Sequence, residues 1–275
     1  MSDLTNRTVF ITGGSRGIGR AIALACARQG ANVVIAAKSD KPHPKLPGTI
    51  HSVADEIREA GGQALPLVLD VRDEDRVKAC VDEAGEHFGG IDALINNAGA
   101  IRLSGVEGLK PSRYDLMHQV NARAVFVCSQ AVLPWLKESD HAHILSLAPP
   151  LNLNTKWFAQ YGPYTTTKYG MTMLSLGMAE EFSRYGIAVN TLWPKTLIAT
   201  AAIEFEVGGP KMMAQGRNPD IMADATVSIL GRNAEQMTGQ TLIDEDLLRA
   251  DGVTDFEGYR YQPGDKPLMP DLFLD

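Results

Sequence analysis

Thr12-Gly13-Gly14-Ser15-Arg16-Gly17-Ile18-Gly19 stands between the apolar run Thr8-Val9-Phe10-Ile11 and a helical stretch from Ala21 to Gln29. A glycine-rich turn that leaves a strand and opens a helix is a place for phosphate, because the helix start offers free N–H groups and the positive end of its dipole. Gly13 permits the tight turn, while Gly17 and Gly19 let backbone approach a pyrophosphate and let the helix pack on the sheet. The candidate contacts of a dinucleotide here are Thr12, Gly13, Ser15, Arg16, Gly17, Ile18 and Gly19. A glycine turn of this kind also occurs as plain structure, so the decision rests on what surrounds it.

Outward from the turn, short apolar runs alternate with amphipathic windows. Strands are expected at Val33 to Ala36, Ala64 to Leu69, Ala93 to Ile95, Ile144 to Leu147, Ala188 to Leu192 and Gln240 to Ile243. Helices are expected at Val53 to Ala60, Arg76 to Phe88, Tyr114 to Leu136, Tyr164 to Arg184 and Ile221 to Leu230. The runs lack polar alternation, as strands buried on both faces do. Repeated β-α alternation with right-handed crossovers predicts an α/β, doubly wound, seven-stranded parallel sheet with helices on both faces, of Rossmann type. One domain over 1–275 is expected. Two segments look added: a proline-rich loop at 39–50 and a C-terminal extension at 244–275, expected as a polar tail along the surface.

The end of the second strand reads the ribose in such folds. An acidic residue there binds the 2′-hydroxyl of NAD and repels a 2′-phosphate. Here Ala37 is followed by Lys38, with Arg16 in the turn itself. A small residue with two cations suits NADP, with NAD the less favoured cofactor. Lys41 and Lys45 fit a solvated loop better than the same patch. Asp70, with Val71 after the third strand, is a candidate for the adenine side, although strand-end turns also favour aspartate.

The 275 residues carry 26 Lys+Arg against 33 Asp+Glu, a formal charge of −7. That balance argues against a nucleic-acid binder working by phosphate neutralisation. Cys26, Cys80 and Cys128 form no C-x-x-C pair, which points away from a metal or dithiol centre and toward buried, reduced thiols. The start of the chain lacks the charge and apolar pattern of a secretion signal, and no apolar run approaches the ~18 residues of a membrane span. A cytoplasmic protein is expected.

In chain order the sequence carries Thr12-Gly13-x-x-x-Gly17-x-Gly19, Asp70, Asn96-Asn97-Ala98-Gly99, Asn121 and Tyr164-x-x-x-Lys168. This order resembles the short-chain dehydrogenase/reductase family over nearly the whole chain. Finer pieces such as Pro42-His43-Pro44-Lys45 and Trp193-Pro194-Lys195-Thr196 resemble a branch whose members continue into a sterol-carrier domain, which is not expected in these 275 residues. The resemblance implies that Tyr164, Lys168 and Asn121 are catalytic and that Asn97, Ala98 and Gly99 belong to the cofactor shell. It implies that Pro194 and Ile198 meet the nicotinamide side, that Tyr164 and Lys168 also touch cofactor, and that the protein is a homodimer or homotetramer built on the helices around 114–136 and 164–184. The chemistry agrees. Four residues apart, Tyr164 and Lys168 share one helix face. A tyrosine near pKa 10 becomes a more useful acid or base when an ammonium favours its phenolate. The expected reaction interconverts a secondary alcohol and a carbonyl on a small or apolar substrate.

One departure stands out. Alignment on Ile144 to Pro149 puts Pro149 where the family places a catalytic serine, and proline has neither hydroxyl nor N–H. Ser146 lies an odd number of strand residues earlier, so it should face the other side. Asn152, Asn154 or Thr155 are alternative donors, or merely loop polarity. Loss of the donor allows a second reading, an NADP-binding sensor or interaction module with weak or no dehydrogenase activity. Lys195 replaces the glycine usual after Pro194 and is either a cation near the cofactor or a solvated lysine. Thr200 to Gly216, with Phe205 and Met212-Met213, suits a lid over an apolar substrate, and Trp157 and Phe158 are candidates for its wall.

Overall fold

The computed structural model describes residues 3–275, apart from the side chains of residues 206 and 207. Its seven strands are β1 (Thr8–Thr12), β2 (Asn32–Ala37), β3 (Gln63–Val68), β4 (Ala93–Asn96), β5 (His143–Ser146), β6 (Ala188–Trp193) and β7 (Thr241–Ile243). They pair in parallel in the order β3-β2-β1-β4-β5-β6-β7. The expected doubly wound sheet is present. β1, β2, β4, β5 and β6 are buried along their whole length, which is why they read as apolar runs.

Helix α1 (Gly17–Arg28) packs on one face of the sheet with α8 (Asp220–Leu230), while α3 (Glu74–Phe88) and α5 (Ala124–Leu136) cover the other. Local chemistry fixes the ends. Thr49 and Ser52 make a reciprocal cap at the start of α2 (Ile50–Glu59), the Asp73 side chain caps α3, and Gly89 closes α3 at φ 80°. Chain order reverses between β1 and β4, and this switch point opens the crevice in which such folds hold ligands.

Three expectations change. The helix foreseen at Tyr114 to Leu136 is α4 (Pro111–His118), a π-helical turn Gln119–Arg123 containing Asn121, and then α5. A single π-turn inside a helix often marks a functional position. The helix foreseen from Tyr164 starts earlier, as α6 (Thr155–Phe182), broken by non-helical backbone at Tyr161 (φ −136°) ahead of Pro163. Proline lacks the N–H that a continuous helix would use there.

The third correction concerns the C-terminal extension. It forms α9 (Asp244–Ala250), which buries Leu247 and Leu248, and its end returns to the sheet and buries Phe273 at 1% exposure. It is therefore not a surface tail. The proline-rich segment is a loop as foreseen, folded back over the glycine turn: Arg16 Nη2 donates to Ser39 Oγ at 2.6 Å and to Gly48 O at 3.2 Å. Cys26, Cys80 and Cys128 are buried free thiols, and burial pushes them up to about 12, 11 and 12. Among the described residues no helix is long and apolar enough to cross a membrane, and no cluster of metal-ligating side chains occurs.

Candidate active site

The glycine turn and the end of β4 are clamped together. Thr12 Oγ1 donates to Ile95 O and accepts from the N–H groups of Asn97 and Ala98, each at 3.1 Å. Asn97 Nδ2 donates to Thr12 O at 2.8 Å and Gly13 O at 3.0 Å. Asn97 is thus the brace that shapes the turn. The approach leaves no room for side chains: a Cβ on Gly19 would come within 2.5 Å of Gly13 O. Gly13 and Gly17 hold φ 70° and 53°, a region that favours glycine.

A cleft of about 390 Å³ follows, lined by the turn, Lys38, Asp70, Val71 and the Ala98-Gly99 segment. Arg16 reaches across it from an extended backbone, and its buried Nε has no partner. A half-buried guanidinium with its Nε–H left unpaired suits an anionic ligand. Lys38 Nζ lies 3.3 Å from Asp70, with its side chain 65% exposed toward the cleft. Asp70 is held by Arg72 at 2.6 Å, and the Arg72 hydrogen bond, then Lys38, keeps its carboxyl well below the usual carboxylate range. Sequence reading missed Arg72, which adds a third cation to this rim. Lys41 and Lys45 are exposed in the loop.

Deeper lies a second cavity of about 320 Å³, reached by Ile18, Asn97, Pro194 and Ile198 and floored by Tyr164 and Lys168. Both side chains are buried, one turn apart on α6. Lys168 Nζ donates to Leu147 O at 2.8 Å and sits 5.2 Å from the Trp193 ring centre; burial pulls it down to about 8. Burial, followed by the nearby Asp271 carboxyl, raises the Tyr164 phenol above its usual value. Burial thus favours the protonated phenol in the free cavity. Asn121 holds the helix beside them: its Nδ2 donates to Thr167 Oγ1 and Ala100 O, each at 2.9 Å, and its Oδ1 accepts from Ala100 N–H at 2.8 Å. It touches the neighbour of Lys168, not Lys168 itself.

Pro149 brings no hydroxyl to this cavity, and its carbonyl accepts from Thr172 Oγ1 at 2.7 Å. Ser146 faces away, bonded to Ser175 Oγ at 3.1 Å and Asn96 Nδ2 at 3.4 Å. None of the alternative donors lines the cavity. Asn152 Nδ2 donates to Phe273 O at 2.9 Å, Asn154 caps α6, and Thr155 is the first residue of that helix. Lys195 turns outward, with Nζ 2.7 Å from Asp246 and 3.5 Å from Glu245. From the foreseen lid, Thr200, Ile203 and Met212 line the cavity, whereas Phe205 is 50% exposed and borders a neighbouring hollow. Trp157 packs behind the site against Phe273, and Phe158 meets Tyr169 edge-on.

The largest surprise is the remaining wall, which is the chain's own C-terminus. Met269, Pro270, Asp271 and Leu272 line the cavity. Backbone bonds hold them there: Leu197 N–H to Met269 O at 2.9 Å, Met269 N–H to Gln215 O at 2.8 Å and Asp271 N–H to Lys195 O at 3.1 Å. The Trp193 indole N–H donates to Leu272 O at 2.9 Å. The one hint in the sequence was an apolar ending, Leu272-Phe273-Leu274, on an otherwise polar segment.

With this geometry in place, likeness to other proteins becomes informative. A family model described as short chain dehydrogenase matches residues 7–205. The chain is 53% identical over 272 residues to hydroxysteroid dehydrogenase-like protein 2 of Homo sapiens, covering 99% of this chain and 64% of that protein; it thus spans just under two thirds of the human relative's length. Among solved structures, one from Xanthomonas campestris superposes with a TM-score of 0.95 at 52% identity, covering 99% of both chains. A short chain dehydrogenase from Burkholderia cenocepacia in complex with NADP superposes at 0.73 with 27% identity, covering 87% of this chain and 96% of that one.

Proposed function

Because the chain belongs to the short-chain dehydrogenase family, we propose that it is an NADP-dependent oxidoreductase that interconverts a secondary alcohol and a carbonyl on a small or apolar substrate. The observation that carries this reading is two adjoining cavities that share Ile18, Asn97 and Thr200, one with cationic residues and the other with Tyr164 and Lys168. The Thr12 to Gly19 turn would hold the pyrophosphate. Arg16, with its unanswered Nε, and Lys38 would hold a 2′-phosphate. The Burkholderia neighbour in complex with NADP supports that choice. When bound, the nicotinamide supplies or accepts the hydride. Tyr164 would give its phenolic proton to the oxygen of the reduced carbonyl, or take it back in oxidation. Lys168 would hold a ribose hydroxyl and favour the phenolate left behind. Ile203, Met212 and Leu272 would exclude water and favour apolar substituents.

The test is NADPH oxidation against a panel of ketones and aldehydes. Turnover is expected, with Tyr164→Phe losing about 10²–10⁴-fold in kcat. Turnover unchanged in that variant would sink the reading. Pro149 favours the second reading, a nucleotide-dependent interaction module. Tight NADPH binding without turnover, with a partner whose affinity follows the nucleotide, would establish it instead.

A homodimer or homotetramer, without nucleic acid, is part of the proposal. Phe126 on α5 and Met173 and Leu176 on α6 stay 51%, 63% and 37% exposed, an apolar surface on the helices named for assembly. Sedimentation is expected to give a mass above the monomer at micromolar concentration, with Met173→Glu shifting it down.

A further inference from the structure

The cavity lacks the serine hydroxyl of its family, and none of the donors foreseen from the sequence lines it. Two polar side chains on its wall were not foreseen, Tyr161 at the break in α6 and Asp271, and only Asp271 is fixed on both sides by long-range backbone and indole hydrogen bonds. We propose that Asp271, brought in by the C-terminal segment, is the hydrogen-bond donor to the reacting substrate oxygen, in place of the serine that Pro149 has replaced. The inference rests on the carbonyl–alcohol chemistry proposed above.

The placement is built, not incidental. Phe273, two residues on, is buried among Tyr164, Tyr169, Trp193 and Trp157, with ring centres 6.1, 5.3, 5.8 and 5.6 Å away, and lies nearly parallel to Tyr164 at 27°. It holds φ 70°, a left-handed conformation costly for a bulky residue, so the surrounding contacts must impose it. On the other side, Asp271 N–H is bonded to Lys195 O and Leu272 O to the Trp193 indole. The carboxyl between these anchors is half-buried and lines the same cavity as Tyr164 and Lys168.

A carboxylate there would oppose the reaction, because negative charge develops on the substrate oxygen and on Tyr164 as its proton leaves. A neutral carboxylic acid donates instead, and a carboxyl kept neutral by an apolar site can serve as an oxyanion donor. The surroundings favour that form. Burial pushes Asp271 up to about 7, with Asp244 adding to it, and outweighs the Leu272 N–H bond and the weaker attraction to Lys168, which both favour the carboxylate. Lys168 Nζ is committed to Leu147 O. The other charges about this wall are Glu245, which binds Arg217 and Lys195, and the Tyr164 phenol. Asp271 Oδ1 accepts the Leu272 N–H at 2.7 Å, which favours the proton on Oδ2. Asp271 keeps its proton throughout; the transferred proton is that of Tyr164.

The experiment compares Asp271→Ala and Asp271→Asn in the full chain, with NADP affinity as the check that each is folded. Asp271→Ala is expected to lose about 10²–10³-fold in kcat. Asp271→Asn keeps a donor, so it should stay within about tenfold of the parent and lack the decline in reduction that is expected of the parent above pH 7. A loss below about threefold in Asp271→Ala, or an equal large loss in both, would overturn the proposal. With Tyr164→Phe inactive in the same assay, such a result leaves the proposed function intact. A second readout needs no turnover. In thermal unfolding of the nucleotide-free proteins, the parent should lose ground to Asp271→Asn as pH rises from about 4 to 7, because the unfolded chain releases a proton that the buried carboxyl keeps, and the gap should level off above pH 7. A gap that does not change with pH overturns the proposal even if no carbonyl is turned over, the outcome that would also fault the function itself.

Discussion

Lys38 is the side chain on which the proposed preference for NADP can be tested alone. It approaches Asp70 at 3.3 Å, but Asp70 is already held by Arg72, so removing Lys38 leaves no unpaired carboxylate. Lys38→Ala should therefore leave the fold intact and weaken NADP by about tenfold or more, the worth of one charge-assisted hydrogen bond, with NAD affinity unchanged. Fluorescence titration with both nucleotides checks this; an equal effect on both would remove Lys38 from the 2′-phosphate site. Asp70 itself was legible as a strand-end acid. That two cations neutralise it was not, because Arg72 reaches back from the turn after β3 and no spacing rule announces that.

At the scale of elements, α6 and the C-terminal segment define the reacting end of the crevice. The spacing of Tyr164 and Lys168 was readable because a helix has a fixed pitch. The earlier start of α6 was not, since proline and the Tyr161 break mimic a loop. The segment after α9 has no periodicity at all, yet it walls the cavity. Phe273→Ala removes a ring packed among four aromatics, a change that costs about 3–5 kcal/mol in a core. That cost should fall on docking of the segment, not on the sheet. Hydrogen exchange is expected to accelerate at 268–275 and at Trp193, while β1, β2 and β4 remain protected. Uniform acceleration across the sheet would show instead that the segment is part of the global folding unit.

For the whole molecule, buried titratable groups couple stability to pH. His143 at the start of β5 is buried with Nε2 2.7 Å from Arg232 O, and burial lowers it to about 4. The unfolded chain takes up that proton near pH 6.5, so His143 withdraws stability as pH falls from 6.5 toward 4, by at most about 3 kcal/mol. Glutamine keeps a donor without the titration. The stability advantage of the parent over His143→Gln should therefore shrink between pH 7 and 4 in urea denaturation; a constant difference would mean His143 titrates normally. The net charge of −7 gave no hint of the site. Arg16, Lys38, Arg72 and Lys168 gather on one side of the molecule because the parallel strands end along one edge of the sheet: Arg16 follows β1, Lys38 β2 and Arg72 β3, and Lys168 of α6 bonds Leu147 O after β5.

By itself the sequence determined the strand order's logic, the glycine turn and the Tyr164–Lys168 pair. These depend on local rules: burial of apolar runs, the φ freedom of glycine and the repeat of the helix. It also announced a loss, the missing hydroxyl at Pro149. Tertiary structure alone decided which further polar group lines the cavity of Tyr164 and Lys168. Asp271 lies 122 residues from Pro149 in the chain, and only the docking of Phe273 among four aromatic rings carries it to the catalytic wall. Long-range packing of an aperiodic segment leaves no local signature, because its stability comes from surfaces that other elements supply.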